Sequence, residues 1–136
     1  MRILIVEDDP VSQLFMSTVL SRYGQCSMAC DGVAAVSDYI DASLCGNPFE
    51  LVFMDIMLPK LDGLSAIERI REFEGHNPWH VPNPAQVVVV SAKDDLPNHI
   101  RAYCAHDILS YMQKPLERAD LEATMDKIVN ASREIV

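Results

Sequence analysis

Residues 51–59 read Leu51-Val52-Phe53-Met54-Asp55-Ile56-Met57-Leu58-Pro59, and the first four set the fold. Four apolar residues in a row offer no polar face to water, which suits a strand covered on both sides within a parallel sheet. An aspartate closes the run, and Pro59 cannot donate to a continuing ladder. Three further runs share this character, at 3–6, 87–90 and 108–112, the last with Ser110 and Tyr111 inside it. A weaker run at 25–30 puts Cys26, Met28 and Cys30 on one face, as an edge strand would.

Between the runs the apolar period becomes helical. Asp9 as N-cap and Pro10 as first helical residue open a helix whose stripe reads Val11, Leu14, Phe15, Thr18 and Arg22 until Gly24 stops it. Val33, Val36, Ile40 and Leu44 form a second stripe between Asp31 and Gly46, and Leu64, Ile67 and Ile70 a third. Leu96, Ile100 and Tyr103 mark a fourth, and Leu121, Met125, Ile128 and Ser132 a fifth. Strands alternating with helices in this way require a parallel sheet with helices on both faces, joined by right-handed crossovers. The expected fold class is α/β, a flavodoxin-like (βα)5 three-layer sandwich with strand order 2-1-3-4-5. That order sets the first strand beside the third, at the switch point where ligands bind. The one irregular stretch is 75–84, where Pro78, Pro82 and Pro84 rule out a continuing helix.

A length of 136 residues suits one domain over 1–136, with 130–136 read as a helix end or the start of a linker. No apolar run approaches the roughly 20 residues of a membrane span, and the short run after Met1-Arg2 lacks the cleavage site of a secretory leader. The expectation is a soluble, cytoplasmic domain without a membrane partner. Eleven Lys+Arg against twenty Asp+Glu give a net charge of −9, which argues against direct nucleic-acid binding. Cys26 and Cys30 would lie about 13 Å apart along one strand, beyond disulfide reach. With Cys45 and Cys104 they make no C-x-x-C pair, so buried reduced thiols are expected rather than a zinc site. His76 and His80 read as surface residues of a turn-rich loop, and Trp79 as either a partner contact or a lid on that loop.

The residues just past the strong runs carry chemistry: Glu7-Asp8-Asp9, Asp55, Ser91 and Lys114-Pro115. In a parallel sheet these positions face one edge, so carboxylates, a hydroxyl and an ammonium converge there. Asp9 is accounted for as a helix cap. The remaining carboxylates repel one another unless a cation neutralises them, and a hard ion with oxygen ligands fits best. Mg²⁺ is the expected cofactor, with Asp8, Asp55 and the Met57 carbonyl as direct ligands and Glu7 acting through water. Asp55 can attack phosphorus to give an acyl phosphate, while Lys114 and the Ser91 hydroxyl hold phosphoryl oxygens.

On these residues the chain resembles the receiver domain of two-component response regulators over essentially its whole length. Glu7-Asp8 look like the acidic pair, Asp55 like the phosphoacceptor, and Asp62-Gly63 like the turn that opens the third helix. Ser91-Ala92 resemble the switch hydroxyl with its small neighbour, Tyr111 the switch aromatic, and Lys114-Pro115 the lysine with its cis-type proline turn. The resemblance implies phosphorylation of Asp55 by a sensor histidine kinase or a histidine phosphotransfer protein. It also implies a downstream effector domain or protein docking on the face of the fourth helix, fifth strand and fifth helix. Such a module assists its own phosphorylation and dephosphorylation and is not an enzyme in the ordinary sense. Two departures stand out: the segment from Asp55 to Ser91 is longer than usual, and Asp107-Ile108 replace the Gly-Ala common before the switch aromatic. An alternative, a Mg-dependent phosphatase of the haloacid-dehalogenase type, calls for a second acid at position 57, where Met stands. A flavodoxin is set aside because Glu7-Asp8-Asp9 would repel a phosphate.

Overall fold

The computed structural model describes residues 1–92 and 108–134; the fourth helical period and Cys104 lie outside them. In chain order the elements are β1 (Arg2–Val6), α1 (Pro10–Leu20), β2 (Gln25–Ala29), α2 (Gly32–Leu44), β3 (Leu51–Asp55), α3 (Gly63–His76), β4 (Gln86–Ser91), β5 (Ser110–Gln113) and α4 (Arg118–Glu134). The helix α4 is the fifth of the periods read from the sequence. Every pairing is parallel, and the sheet runs β2-β1-β3-β4-β5, the order expected.

The strong runs are continuous because both faces are covered. Leu4, Val6, Val52, Met54, Val87 and Val89 point toward α2 and α3, where they meet Ala35, Tyr39, Ile67 and Ile70. Their alternates Ile3, Ile5, Leu51, Phe53, Val88 and Val90 point the other way, against Met16, Val19 and Leu20 of α1 and Leu121, Met125 and Ile128 of α4. Each such side chain, taken fully out of water, contributes on the order of 1.5–3 kcal/mol.

Two helical stripes differ from expectation. On α1 the residues turned inward are Met16, Val19 and Leu20, while Val11 and Leu14 are 75% and 67% exposed. The helix carries two overlapping apolar stripes, and only one can face the sheet. On α2 the inward residues are Gly32, Ala35, Tyr39 and Ser43, and Val33 and Leu44 stay outside. Close approach decides that rotation, since a Cβ on Gly32 would lie 2.0 Å from the Leu61 carbonyl oxygen. Tyr39 then fills the space between α2 and α3, stacked on Phe49 and edge-on to Phe73, with its hydroxyl donating to the buried Glu74. Glu74 also accepts from the Ala85 amide at 2.8 Å and pairs with Arg71 at 2.8 Å, so this network ties the loop before β4 to α3.

The thiols are a further correction. Cys26, Cys30 and Cys45 are free, as expected, but Cys30 and Cys45 are exposed and only Cys26 is half-buried. Cys30 follows the last residue of the edge strand β2 and Cys45 is the C-cap of α2, two ends that nothing covers among the described residues. Trp79 is 79% exposed and so is no lid on its loop. Among the described residues no helix is long and apolar enough to cross a membrane.

Candidate functional site

Strand register brings the candidate residues together. Val6 pairs with Met54, Asp55 with Val90, and Ser91 with Gln113. Glu7, Asp55, Ser91 and Lys114 therefore stand within a residue of one line at the C-terminal edge, where α/β sheets place their ligands. Backbone bonds continue the ladder past the last pairs: Glu7 donates to the Ala29 carbonyl at 3.1 Å, Ile56 to Val90 at 3.1 Å, and Lys114 to Ser91 at 2.7 Å.

The loops between these strand ends and the helices are held by caps. Asp9 accepts from the Ser12 amide at 3.0 Å and opens α1; Asp62 accepts from the Ser65 amide at 3.0 Å and opens α3. The Ser12 hydroxyl and amide hold the Asp9 carboxyl below its ordinary value, and the Ser65 amide does the same for Asp62. Gly63 has a separate reason to be glycine, since a Cβ there would lie 2.1 Å from the Asp55 carbonyl oxygen. Its amide donates to the Ile56 carbonyl at 2.9 Å, which folds the 56–63 loop tightly onto the end of β3.

Within this frame Lys114 Nζ lies 2.7 Å from Asp55 Oδ2 and 2.8 Å from Glu7 Oε2. Asp55 and Glu7 are buried, Lys114 half-buried, and Asp8 exposed at the mouth. Carboxylate oxygens of Glu7, Asp8 and Asp55 all lie within 4.8 Å of one another, the arrangement a shared cation needs. The second oxygen of Asp55 accepts from the Met57 amide at 3.0 Å, which fixes the plane of the carboxylate. Glu7 Oε1 accepts from the Asp9 amide at 3.2 Å. Burial pushes the Glu7 carboxyl above its ordinary value although Lys114 pulls it down. Burial works to lower Lys114, but its bonds to Asp55 and Glu7 prevail and hold it up, so it stays charged.

Ser91 is fully buried, and its hydroxyl hydrogen-bonds that of Tyr111, which is half-buried on β5. The peptide before Pro115 is cis, as the resemblance implies. Each residue read from the sequence as a site candidate thus lies at this edge, with Met57 exposed beside it. Sequence reasoning missed Gln13, whose amide donates to the Glu7 carbonyl and to Cys30 Sγ at 3.5 Å. Nothing marks an uncharged amide in the first turn of a helix as part of an acidic site.

The chain belongs to the response regulator receiver domain family, whose model matches residues 3–126. It is 32% identical to the chemotaxis protein CheY of Treponema pallidum, over 86% of this chain and 74% of that protein. Among solved structures it resembles the receiver domain of a Pseudomonas aeruginosa sensor histidine kinase with a magnesium ion coordinated in its active-site cleft. That likeness has 27% identity and a TM-score of 0.71, and covers 93% of this chain and 94% of that one. It also resembles the receiver domain of the Saccharomyces cerevisiae response regulator Ssk1, crystallised with the histidine phosphotransfer protein Ypd1. There the identity is 24% and the TM-score 0.76, over 92% of this chain and 86% of that one. Several other curated relatives are much longer, and the chain spans only 10% to 18% of their length.

Proposed function

We propose that Asp55 is the phosphoacceptor of a Mg²⁺-dependent receiver, loaded from a phosphohistidine on a sensor histidine kinase or a histidine phosphotransfer protein. The observation that carries this reading is Lys114 bridging Asp55 and Glu7 inside a cluster of three carboxylates at the C-terminal edge of the central strand. Three carboxylates against one ammonium leave two negative charges in excess, which suits a divalent ion on oxygen ligands. Asp8, Asp55 and the Met57 carbonyl would hold it directly, and Glu7 through water. Mg²⁺, when bound, neutralises that excess and one phosphoryl oxygen.

In the transfer, an Asp55 oxygen forms the new P–O bond as the P–N bond to the donor imidazole breaks. The imidazole leaves with the electron pair and takes up a proton. Lys114, now on Asp55 Oδ2, is placed to pair with a phosphoryl oxygen as the carboxylate charge is spent. The Ser91 hydroxyl donates to another oxygen, and its bond to Tyr111, in which either hydroxyl can be the donor, then takes Tyr111 as donor in exchange. That exchange links the site to β5 and thereby to the expected output face, whose fourth helical period lies outside the described residues.

The donor's approach is favoured by the exposed Val11 and Leu14 on α1. Val11 lines a groove of about 450 Å³ together with Phe15, Lys114, Pro115 and Leu116. An apolar face next to an acidic pocket fits a partner helix carrying a phosphohistidine, and the Ssk1 receiver was solved with a histidine phosphotransfer protein. The test is transfer of label from a phosphorylated histidine phosphotransfer protein, with Mg²⁺ or with a chelator. Label should move onto this chain only with Mg²⁺. Equal transfer in chelator sinks the metal requirement, and no transfer from any histidine donor sinks the phosphoacceptor reading.

A further inference from the structure

We infer that Gln13 is a positioning residue for the acids that bind the metal, an inference that rests on the Mg²⁺ reading above. Gln13 sits in the first turn of α1, and its backbone amide donates to the Asp9 carbonyl at 2.9 Å. Its side chain turns back toward the sheet. One N–H goes to the Glu7 carbonyl and the other to Cys30 Sγ at 3.5 Å, so both donors of the amide are used. The acceptors are a carbonyl oxygen and a sulfur, which settles the orientation of the amide with nitrogen toward them.

The Glu7 carbonyl belongs to the same rigid peptide unit as the Asp8 amide. Fixing that oxygen fixes the plane from which the Asp8 side chain departs. Glu7 is held on its other side by its own amide, 3.1 Å from the Ala29 carbonyl. Asp8 itself is exposed and has no such tether among the described hydrogen bonds, so its carboxylate depends on its backbone to stay within 4.8 Å of Glu7 and Asp55. Three like charges that close to one another favour spreading apart. Gln13 therefore opposes the repulsion that would swing the loop outward before an ion arrives, and it does so without adding charge. Cys30, at the start of the next loop, gives the bridge a second abutment.

The experiment is a Mg²⁺ titration of the whole chain by calorimetry, with the Asp8 and Asp55 amide shifts followed by NMR. Gln13→Leu should weaken Mg²⁺ binding by about 10-fold, the scale seen when a partner of a metal ligand is removed. Thr18→Ala is the control: it removes a hydroxyl bond to the Leu14 carbonyl within the same helix, at 2.7 Å. It should lower the melting point without changing Mg²⁺ affinity. If Gln13→Leu does not fold, Gln13→Met, of similar length and also without a donor, should show the same loss. Unchanged affinity in the donor-free variant, or an equal loss in Thr18→Ala, overturns the inference while leaving the Mg²⁺ reading intact. A parent chain that binds no Mg²⁺ overturns both.

Discussion

Replacing Asp8 by Asn should make the metal-free protein more stable and the metal-loaded protein less so. At 4.8 Å two like charges repel by about 0.9 kcal/mol in water, and Asp8 faces two of them, Glu7 and Asp55. Lys114 offsets part of this, so the exposed Asp8 costs on the order of 1 kcal/mol net. For a domain of this size that is a melting-point rise of about 3 °C in chelator. Mg²⁺ at about 100 times the dissociation constant stabilises the parent by about 2.7 kcal/mol. A variant that binds about tenfold more weakly gains only about 1.4 kcal/mol from the same solution. The order of the melting points should therefore invert between chelator and saturating Mg²⁺. Circular-dichroism melts in both buffers decide the matter. If Asp8→Asn melts below the parent in chelator, or gains as much from Mg²⁺, the crowded-carboxylate argument fails.

Glu7→Gln should bring a stability advantage in chelator that depends on pH. Burial holds the folded Glu7 carboxyl above its ordinary 4.5, so the parent loses stability as pH climbs from 4.5 through the raised value. The gap in favour of Gln should open over that window and close below it. The cap carboxylates, Asp9 held low by the Ser12 hydroxyl and Asp31 and Asp62 by backbone N–H groups, act in the opposite sense but cancel in the difference. Urea melts across the acid range showing a pH-independent difference would contradict this. Charging the apolar face of α1, with Val11→Glu and Leu14→Glu together, should slow transfer from a histidine phosphotransfer protein by about tenfold or more. Labelling by a small phosphodonor should not change. Stopped-flow rates that fall equally with both donors would remove the docking role.

The sheet was legible because its inner strands are buried on both faces and cannot hide a polar alternation. The site was legible for a related reason: strands that point the same way put their last residues on one edge, and Glu7, Asp55, Ser91 and Lys114 each follow or end an apolar run. Helix rotation was harder to read. In α1 and α2 apolar residues stand on more than one face, and the choice is made by close contacts such as Gly32 against Leu61 that no periodicity encodes. The exposure of Cys30, just past the edge strand, and of Cys45, at the C-cap of α2, depends on what covers the ends of those elements, which is a property of neighbours rather than of the elements. Hydrogen bonds from neutral side chains, Gln13 above all, leave no trace in composition or spacing. The Tyr39–Glu74–Arg71 network is silent for the same reason, since a glutamate in a helix reads as solvent-facing until its partners are seen.

The central claim is that Asp55 receives the phosphoryl group, and intact-mass spectrometry tests it most directly. The parent and Asp55→Asn would each be incubated with Mg²⁺ and acetyl phosphate, in which the donor carries no protein surface to dock. The carboxamide keeps the shape of the side chain but cannot serve as the nucleophile. The parent should gain one phosphoryl group and Asp55→Asn none; equal labelling of the two proteins would place the acceptor elsewhere and contradict the account.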